Sequence, residues 1–292
     1  MSEGIESLHH RIDGAVDLQT VVRTMKALSA SQIGQYEKAV QALTAYSHTI
    51  ELGLTACLRQ ADLHLLTNVT TPTAQQVTGV VVFGSDQGLV GQFNDLLAEF
   101  VAEKLADELG QIHIWAVGER IADQLESVGL EVAGRFDVPS SVHAITNLVE
   151  QLLLTSASAC SHGEINQLYV FHNGANSELE TGYTSLTQRL LPLDALWQKN
   201  LLDTPWQTNN LPETLGNSEK TLQALIREYL FVSLFRSCSE SLASENASRL
   251  ATMQRAEKNI GEMLDELTHS YHQLRQDNID TELFDVIAGF TS

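Results

Sequence analysis

Alternate steps of three and four residues from Ile5 give Ile5, Leu8, Ile12, Ala15, Gln19, Val22, Lys26, Ser29, Ile33, Tyr36, Val40, Leu43, Ser47, Ile50, Leu54, Cys57 and Ala61. Most of these positions are apolar, and the register never slips. A 3-4 repeat averages 3.5 residues, the seam of a left-handed coiled coil. A helix of about 55 residues is about 80 Å long, several-fold longer than an ordinary globular helix. The C-terminal end repeats the habit through Ile260, Leu264, Leu267, Tyr271 and Leu274. Leu242, Leu250 and Met253 lie close to this stripe. Leu222, Leu225, Ile226, Tyr229, Leu230 and Phe231 broaden it upstream, and Ile279, Leu283, Val286 and Ile287 continue it downstream. Asn217 or Ser218 can cap its start, and a helix from there to near Ala288 is about 100 Å long. All five prolines lie between Pro72 and Pro212, so neither end carries the residue that breaks helix interiors. Two such helices cannot bury their seams alone, and antiparallel pairing is the simplest solution.

The middle changes character. Val77–Phe83 is a β-branched run bounded by turn residues, a buried strand. Phe93–Leu109 has helical spacing, Ile112–Val117 reads as a second strand, and a short helix follows near Glu119–Val128. Val142–Ala159 is helical in pattern, and Ile165–Phe171 is a third strand. From Asn173 to Gly216 turn signals dominate, with one more strand near Thr181–Leu186 and then a linker. Alternating strand and helix implies a small parallel sheet. The expected class is therefore α/β: a long antiparallel coiled coil of terminal helices (1–66 and 217–292) plus a small Rossmann-like, mostly parallel α/β domain with its linker (67–216).

Charge limits the partners. The net charge is −20, which argues against broad nucleic-acid binding and against anionic membrane surfaces. Residues 67–216 hold 18 acids and 5 bases, net −13, so the middle carries most of it. No apolar run reaches the roughly 18 residues of a membrane span. The opening MSEGIESLHHRIDG lacks the apolar core of a secretory signal. Cys57, Cys160 and Cys238 are scattered and odd in number, and reduced thiols are the plain reading.

Candidate chemistry is sparse. Gly84-Ser85-Asp86-Gln87-Gly88-Leu89-Val90-Gly91 follows the first strand and precedes a helix, a place where backbone N–H groups cradle phosphate. It is neither a Walker A loop nor GxGxxG, and a tight strand-to-helix turn explains the glycines. His269 and His272 stand three apart, close enough to share a metal with further ligands; a solvated helix face explains them as well. No catalytic constellation and no cofactor or metal site is expected. Gln19, Lys26, Ser29 and Ser47 put polar groups on the N-terminal seam, either to fix register or to face a partner. Arg275–Asn278 is a polar cluster within the C-terminal stripe, read as a kink, a solvated turn or a contact surface.

Several segments carry a family resemblance. Arg23-Thr24-Met25-Lys26-Ala27-Leu28-Ser29-Ala30-Ser31 resembles the first helix of F-type ATP synthase gamma subunits. Ser85–Asn94 resembles their Ser-Asp-Lys-Gly-Leu-Cys-Gly turn. Tyr229–Val232, Glu240–Met253, Ser270-Tyr271, Arg275-Gln276 and Ile279–Gly289 resemble their last helix in order. The resemblance implies a non-catalytic central-stalk subunit that turns inside a hexamer of alpha and beta subunits. The other implied partners are an epsilon subunit and a membrane c-ring. It would sit peripherally on the cytoplasmic face of a bacterial inner membrane. It implies further that Met25 and Lys26 face moving parts of the catalytic subunits and that Arg275 and Gln276 contact their loops. The chain departs from the family at Asp280 (usually Thr), Phe290 (Ala), Gln87 (Lys) and Val90 (Cys), and its first helix is poorer in Lys and Arg, so it reads as a divergent acidic member. Two other readings fit the residues alone: a nucleotide-binding α/β enzyme with a coiled-coil dimerisation arm, and a coiled-coil adaptor.

Overall fold

The computed structural model describes residues 4–60, 77–106, 110–176, 178–179, 182–193, 195–203, 206 and 218–290. The elements run α1 (Ile5–Gln60), β1 (Val77–Phe83), α2 (Phe93–Leu105), β2 (Gln111–Val117), α3 (Glu119–Ser127), β3 (Val132–Phe136), α4 (Val142–Ser161), β4 (Gln167–Ala175), β5 (Tyr183–Leu191), α5 (Ala195–Asp203) and α6 (Ser218–Phe290). The helices α1 and α6 have 56 and 73 residues. The chain forms two compact units, Met1–Ser31 with Arg249–Ser292, and Gln32–Ser248. This division cuts across both long helices, unlike the expected boundaries near 66 and 216.

In the first unit α1 and α6 run antiparallel. His9 packs edge-on against Tyr271, with ring centroids 6.0 Å apart, while Arg23 and Lys26 both reach Glu257. Rising numbers on one helix thus meet falling numbers on the other. Leu8, Ala15 and Ser29 are buried here, and Ile5, Ile12, Gln19, Val22 and Lys26 are half-buried. No seam position of this unit is exposed, as a 3.5-residue repeat facing one partner requires. On α6, Met253 and Leu267 are buried, and Ile260, Leu264, Tyr271 and Leu274 are half-buried. Beyond Leu274 the stripe is uncovered: Ile279, Leu283, Val286 and Ile287 are 47–58% exposed. α6 runs helical through Arg275–Asn278 rather than breaking into a turn there.

The second unit is built on one five-stranded sheet of order β3-β2-β1-β4-β5. β1 pairs parallel with β2 and β4, β2 pairs parallel with β3, and β5 closes the edge antiparallel to β4. Alternation along β1 sorts the two faces. Val80 and Val82 meet Leu97, Val101, Ile121 and Leu125 of α2 and α3. Val81 and Phe83 meet Ile145, Val149 and Leu152 of α4, together with Tyr36 of α1 and Leu234, Phe235, Cys238 and Leu242 of α6. A third cluster joins Ile50, Leu54, Cys57 and Leu58 of α1 to Leu222 and Val232 of α6, with Trp197 and Leu201 of α5 against it. The seam continues on α1, with Tyr36, Ile50, Leu54 and Cys57 buried; Ala61 lies outside the described residues. Two elements depart from the sequence reading. The short strand β3 is not expected from the pattern, and the presumed linker contains α5.

Candidate functional site

The glycine turn is built tightly around itself. At Gly84 a Cβ would lie 2.2 Å from Ile121 Cβ and 2.8 Å from Asn94 Oδ1, so no side chain fits. At Gly118 φ is +115°, and a Cβ would approach the Ser85 carbonyl oxygen to 2.6 Å. Ser85 N donates to Asn94 Oδ1, and Asn94 Nδ2 donates to Ser85 Oγ, at 3.1 and 2.8 Å. Leu89 takes φ 64°, a left-handed conformation costly for a γ-branched residue, and its side chain is 57% exposed. The carboxylate of the turn reaches across to neighbouring elements. Asp86 Oδ1 accepts from Glu119 N at the start of α3, and Oδ2 accepts from Val138 N, both at 3.0 Å. A negative group at a helix N-terminus satisfies its free N–H and its dipole. The close contacts at Gly84 and Gly118 require glycine there, and Asp86 ties the turn to the start of α3.

α6 lies against this corner along a face of small polar residues. Ser233, Ser237, Ser241, Ser244 and Ser248, spaced by three and four, are all buried, which lets the helix approach the ends of the strands closely. Ser241 Oγ donates to Phe83 O at 2.9 Å and Ser248 Oγ to Val90 O at 2.6 Å. Glu240 takes His172 Nε2 on Oε2 at 2.9 Å and Arg236 Nε on Oε1 at 2.8 Å. Burial pushes the Glu240 carboxyl up, but the bonds from His172 and Arg236 outweigh it and hold the group below the usual carboxylate range. His172 and Glu240 lie 68 residues apart, and no local pattern signals their pairing.

The four residues singled out by resemblance are all in the first unit. Lys26 Nζ meets Glu257 Oε2 at 2.5 Å, and Arg23 Nε meets Oε1 at 2.9 Å, so Lys26 is held across the helix pair. Bonds from Lys26 and Arg23 lower the Glu257 pKa. Met25 is half-buried. It falls within a second 3-4 stripe with Leu18, Val21 and Leu28, which are 54–59% exposed. In the sequence this outward stripe is masked by the longer seam beside it. Arg275, Gln276 and Asp280 are exposed.

Among the described residues no group of three or more His, Cys, Asp or Glu side chains could hold a metal; His269 and His272 both face solvent. All three cysteines are free thiols. Burial pushes each of them up, which keeps them protonated and unreactive at neutral pH. No helix among the described residues is long and apolar enough to cross a membrane.

Comparison with known proteins agrees along the whole chain. The family model described as ATP synthase matches residues 4–292. The ATP synthase gamma chain of a Wolbachia strain from Brugia malayi is 28% identical over 306 residues, covering 99% of both chains. That of Anaeromyxobacter sp. strain Fw109-5 is 26% identical, covering 98% of this chain and 97% of the relative. Among solved structures, the rotor of the Euglena gracilis mitochondrial ATP synthase aligns with TM-score 0.60 at 14% identity, covering 94% of this chain and 98% of that one. The central stalk and c-ring structure of the Tetrahymena thermophila enzyme includes a chain that aligns with TM-score 0.57 at 18% identity, covering 81% and 99%. These structures share the fold: long terminal helices around a mostly parallel sheet. With its long terminal helices, its mostly parallel sheet and a family match from residue 4 to residue 292, the chain belongs to the ATP synthase gamma-chain family.

Proposed function

We propose that this chain is the central-stalk subunit of a rotary F-type ATP synthase. It couples ion flow through a membrane c-ring to ATP synthesis or hydrolysis by turning inside a hexamer of alpha and beta subunits, with an epsilon subunit at its side. It contributes no catalytic residue, and it works on the cytoplasmic face of a bacterial inner membrane. The observation that carries this reading is the pair of unbroken terminal helices, α1 and α6, which keep an inward seam yet carry apolar side chains facing away from the chain. On α1 these are Leu18, Val21 and Leu28, with half-buried Met25 between the last two; on α6 they are Ile279, Leu283, Val286 and Ile287. Exposed apolar stripes on a helix pair are surfaces for a partner. Each orientation of an asymmetric shaft makes different contacts with three catalytic sites, and differential contact energy is what shifts their nucleotide equilibria.

Within this reading Met25 offers the hexamer an apolar contact, and exposed Arg275 and Gln276 offer polar ones. Lys26 acts through Glu257, stiffening the helix pair beside Met25. The test is co-expression with the alpha and beta subunits of the same genome. A recovered complex with one copy of this chain that hydrolyses ATP supports the shaft. A chain that stays alone, pairs with itself or binds ATP unaided counts against it.

A further inference from the structure

Doubly wound sheets take their ligands in the crevice beyond the carboxyl ends of the strands, where strand order reverses. Here the order β3-β2-β1-β4-β5 reverses between β1 and β4. In this chain α6 fills that crevice. Phe83 and His172 are register partners at the carboxyl end of the β1–β4 ladder. Two adjacent residues of α6 take one each: Glu240 bonds His172, and Ser241 bonds the Phe83 carbonyl. Seven residues on, and so on the same face, Ser248 bonds Val90 O in the glycine turn. One turn before, Arg236 holds the second oxygen of Glu240. His172 is 4% exposed, and its Nδ1 is buried without a hydrogen bond. The ring proton is therefore assigned to Nε2 and donated to the carboxylate, since an N–H at Nδ1 would be buried unpaired.

We infer that the ligand crevice of this sheet has become a rotational clamp on α6, with Glu240 as its positioning residue. The inference rests on the shaft reading and deepens it. Apolar packing is non-directional and lets a helix turn against a sheet, whereas hydrogen bonds weaken steeply off their preferred angle. The bonds from Glu240 to Ser248 span about 12 Å of helix and anchor on two strands and a turn, so rotation of α6 about its axis strains these three together, while Arg236, on α6 itself, orients the Glu240 carboxylate. Glu240 suits the post because both its oxygens accept, and it faces two donors. A glutamine there offers one acceptor and one donor, so one bond is lost whichever way it turns.

The experiment uses the complete ATP synthase in vesicles, comparing the native chain with Glu240→Gln, with Ser241→Ala, and with a double variant that combines His172→Gln and Glu240→Gln. Two rates are read: ATP synthesis under a small ion gradient, where the clamp carries load, and ATP hydrolysis by the detached catalytic sector, where it does not. Glu240→Gln should lower the loaded rate by about tenfold, the effect of losing a bond to a partly buried charged group, and leave unloaded hydrolysis within about twofold. The double variant should recover most of the loaded rate. The carbonyl of the glutamine placed at position 172 can accept from the amide of the glutamine placed at position 240, whose own carbonyl still accepts from Arg236. Ser241→Ala, which removes one neutral bond, should shift the same ratio in the same direction but less; it decides the matter if Glu240→Gln does not assemble. Equal loss of both rates, no loss of either, or a double variant no better than the single one would overturn the clamp. Absence of the native chain from an ATP-hydrolysing complex would instead overturn the shaft reading beneath it.

Discussion

At Gly84 the packing leaves less than a methyl group of room, because Ile121 and Asn94 close over the site from α3 and α2. Gly84→Ala must move α3 or break the bonds between Ser85 and Asn94, and should cost about 2–3 kcal/mol, the scale of overpacking in a closed core. Chemical denaturation would read it as a lower midpoint with unchanged slope. Glu240 gives a pH-dependent counterpart. Its carboxyl is held below the usual range by His172 and Arg236, so its contribution to stability is complete above the ordinary carboxylate range, near pH 4.3. That contribution is lost as pH falls through the lowered folded value. The native chain and Glu240→Gln should therefore differ most in melting temperature at neutral pH and converge in acid. A constant gap down to pH 3 would show that the carboxylate charge contributes nothing. Asp86 belongs with these residues, because its carboxylate accepts from the first N–H of α3. A sequence reader sees an Asp in a glycine turn; only the fold shows which N–H groups it answers.

For whole elements, legibility depends on length and periodicity. The α1 seam is readable over seventeen positions, because burial on one partner imposes a single period along the helix; every seam position among the described residues is buried or half-buried. β1 is readable because a central parallel strand is buried on both faces and shows as an unbroken apolar run. β3 escapes a sequence reading because five residues, Val132-Ala133-Gly134-Arg135-Phe136, on the edge of the sheet alternate weakly and include a glycine and a charge. α5 escapes it because it sits among turn signals between Pro192 and Pro205, and its helix is fixed by Trp197 and Leu201 packing under α1 and α6, a tertiary cause with no local sign. The clamp is invisible for the same reason, since its partners come from β1, β4 and α6. Where the seam is deepest it should also be most costly to cut. Leu54 is fully buried, and Leu54→Ala should cost about 2–5 kcal/mol. Leu18→Ala, on the outward stripe of the same helix, should stay within about 0.5 kcal/mol. Similar losses at the two sites, measured by denaturation, would mean that the outward stripe is covered within the chain.

For the molecule as a whole, charge and apolar surface are distributed unequally along the chain. The middle segment carries net −13 of the total −20, while α6 ends in exposed Ile279, Leu283, Phe284, Val286 and Ile287. The two regions should attach to their partners by different forces, and salt separates them. Attraction between exposed charges is screened beyond about 8 Å at physiological ionic strength and beyond about 3 Å at 1 M. Burial of apolar surface is not screened, and salts excluded from protein surfaces strengthen it. Docking of the acidic domain on basic neighbours should therefore weaken steeply between about 0.05 and 0.5 M salt, whereas retention of the chain in the hexamer through the α6 tip should persist or tighten. A variant with Ile279, Leu283 and Ile287 all changed to Ser should reverse the pattern. Its own unfolding should move little, because these side chains are already in water, but it should elute from the alpha–beta complex under conditions that retain the native chain. The two retentions can be followed in one salt gradient, with the hexamer and the membrane ring immobilised separately. If both fall together with salt, the tip is held by charge and the apolar stripe has no partner; if neither falls, the acidity of the middle domain has no docking role.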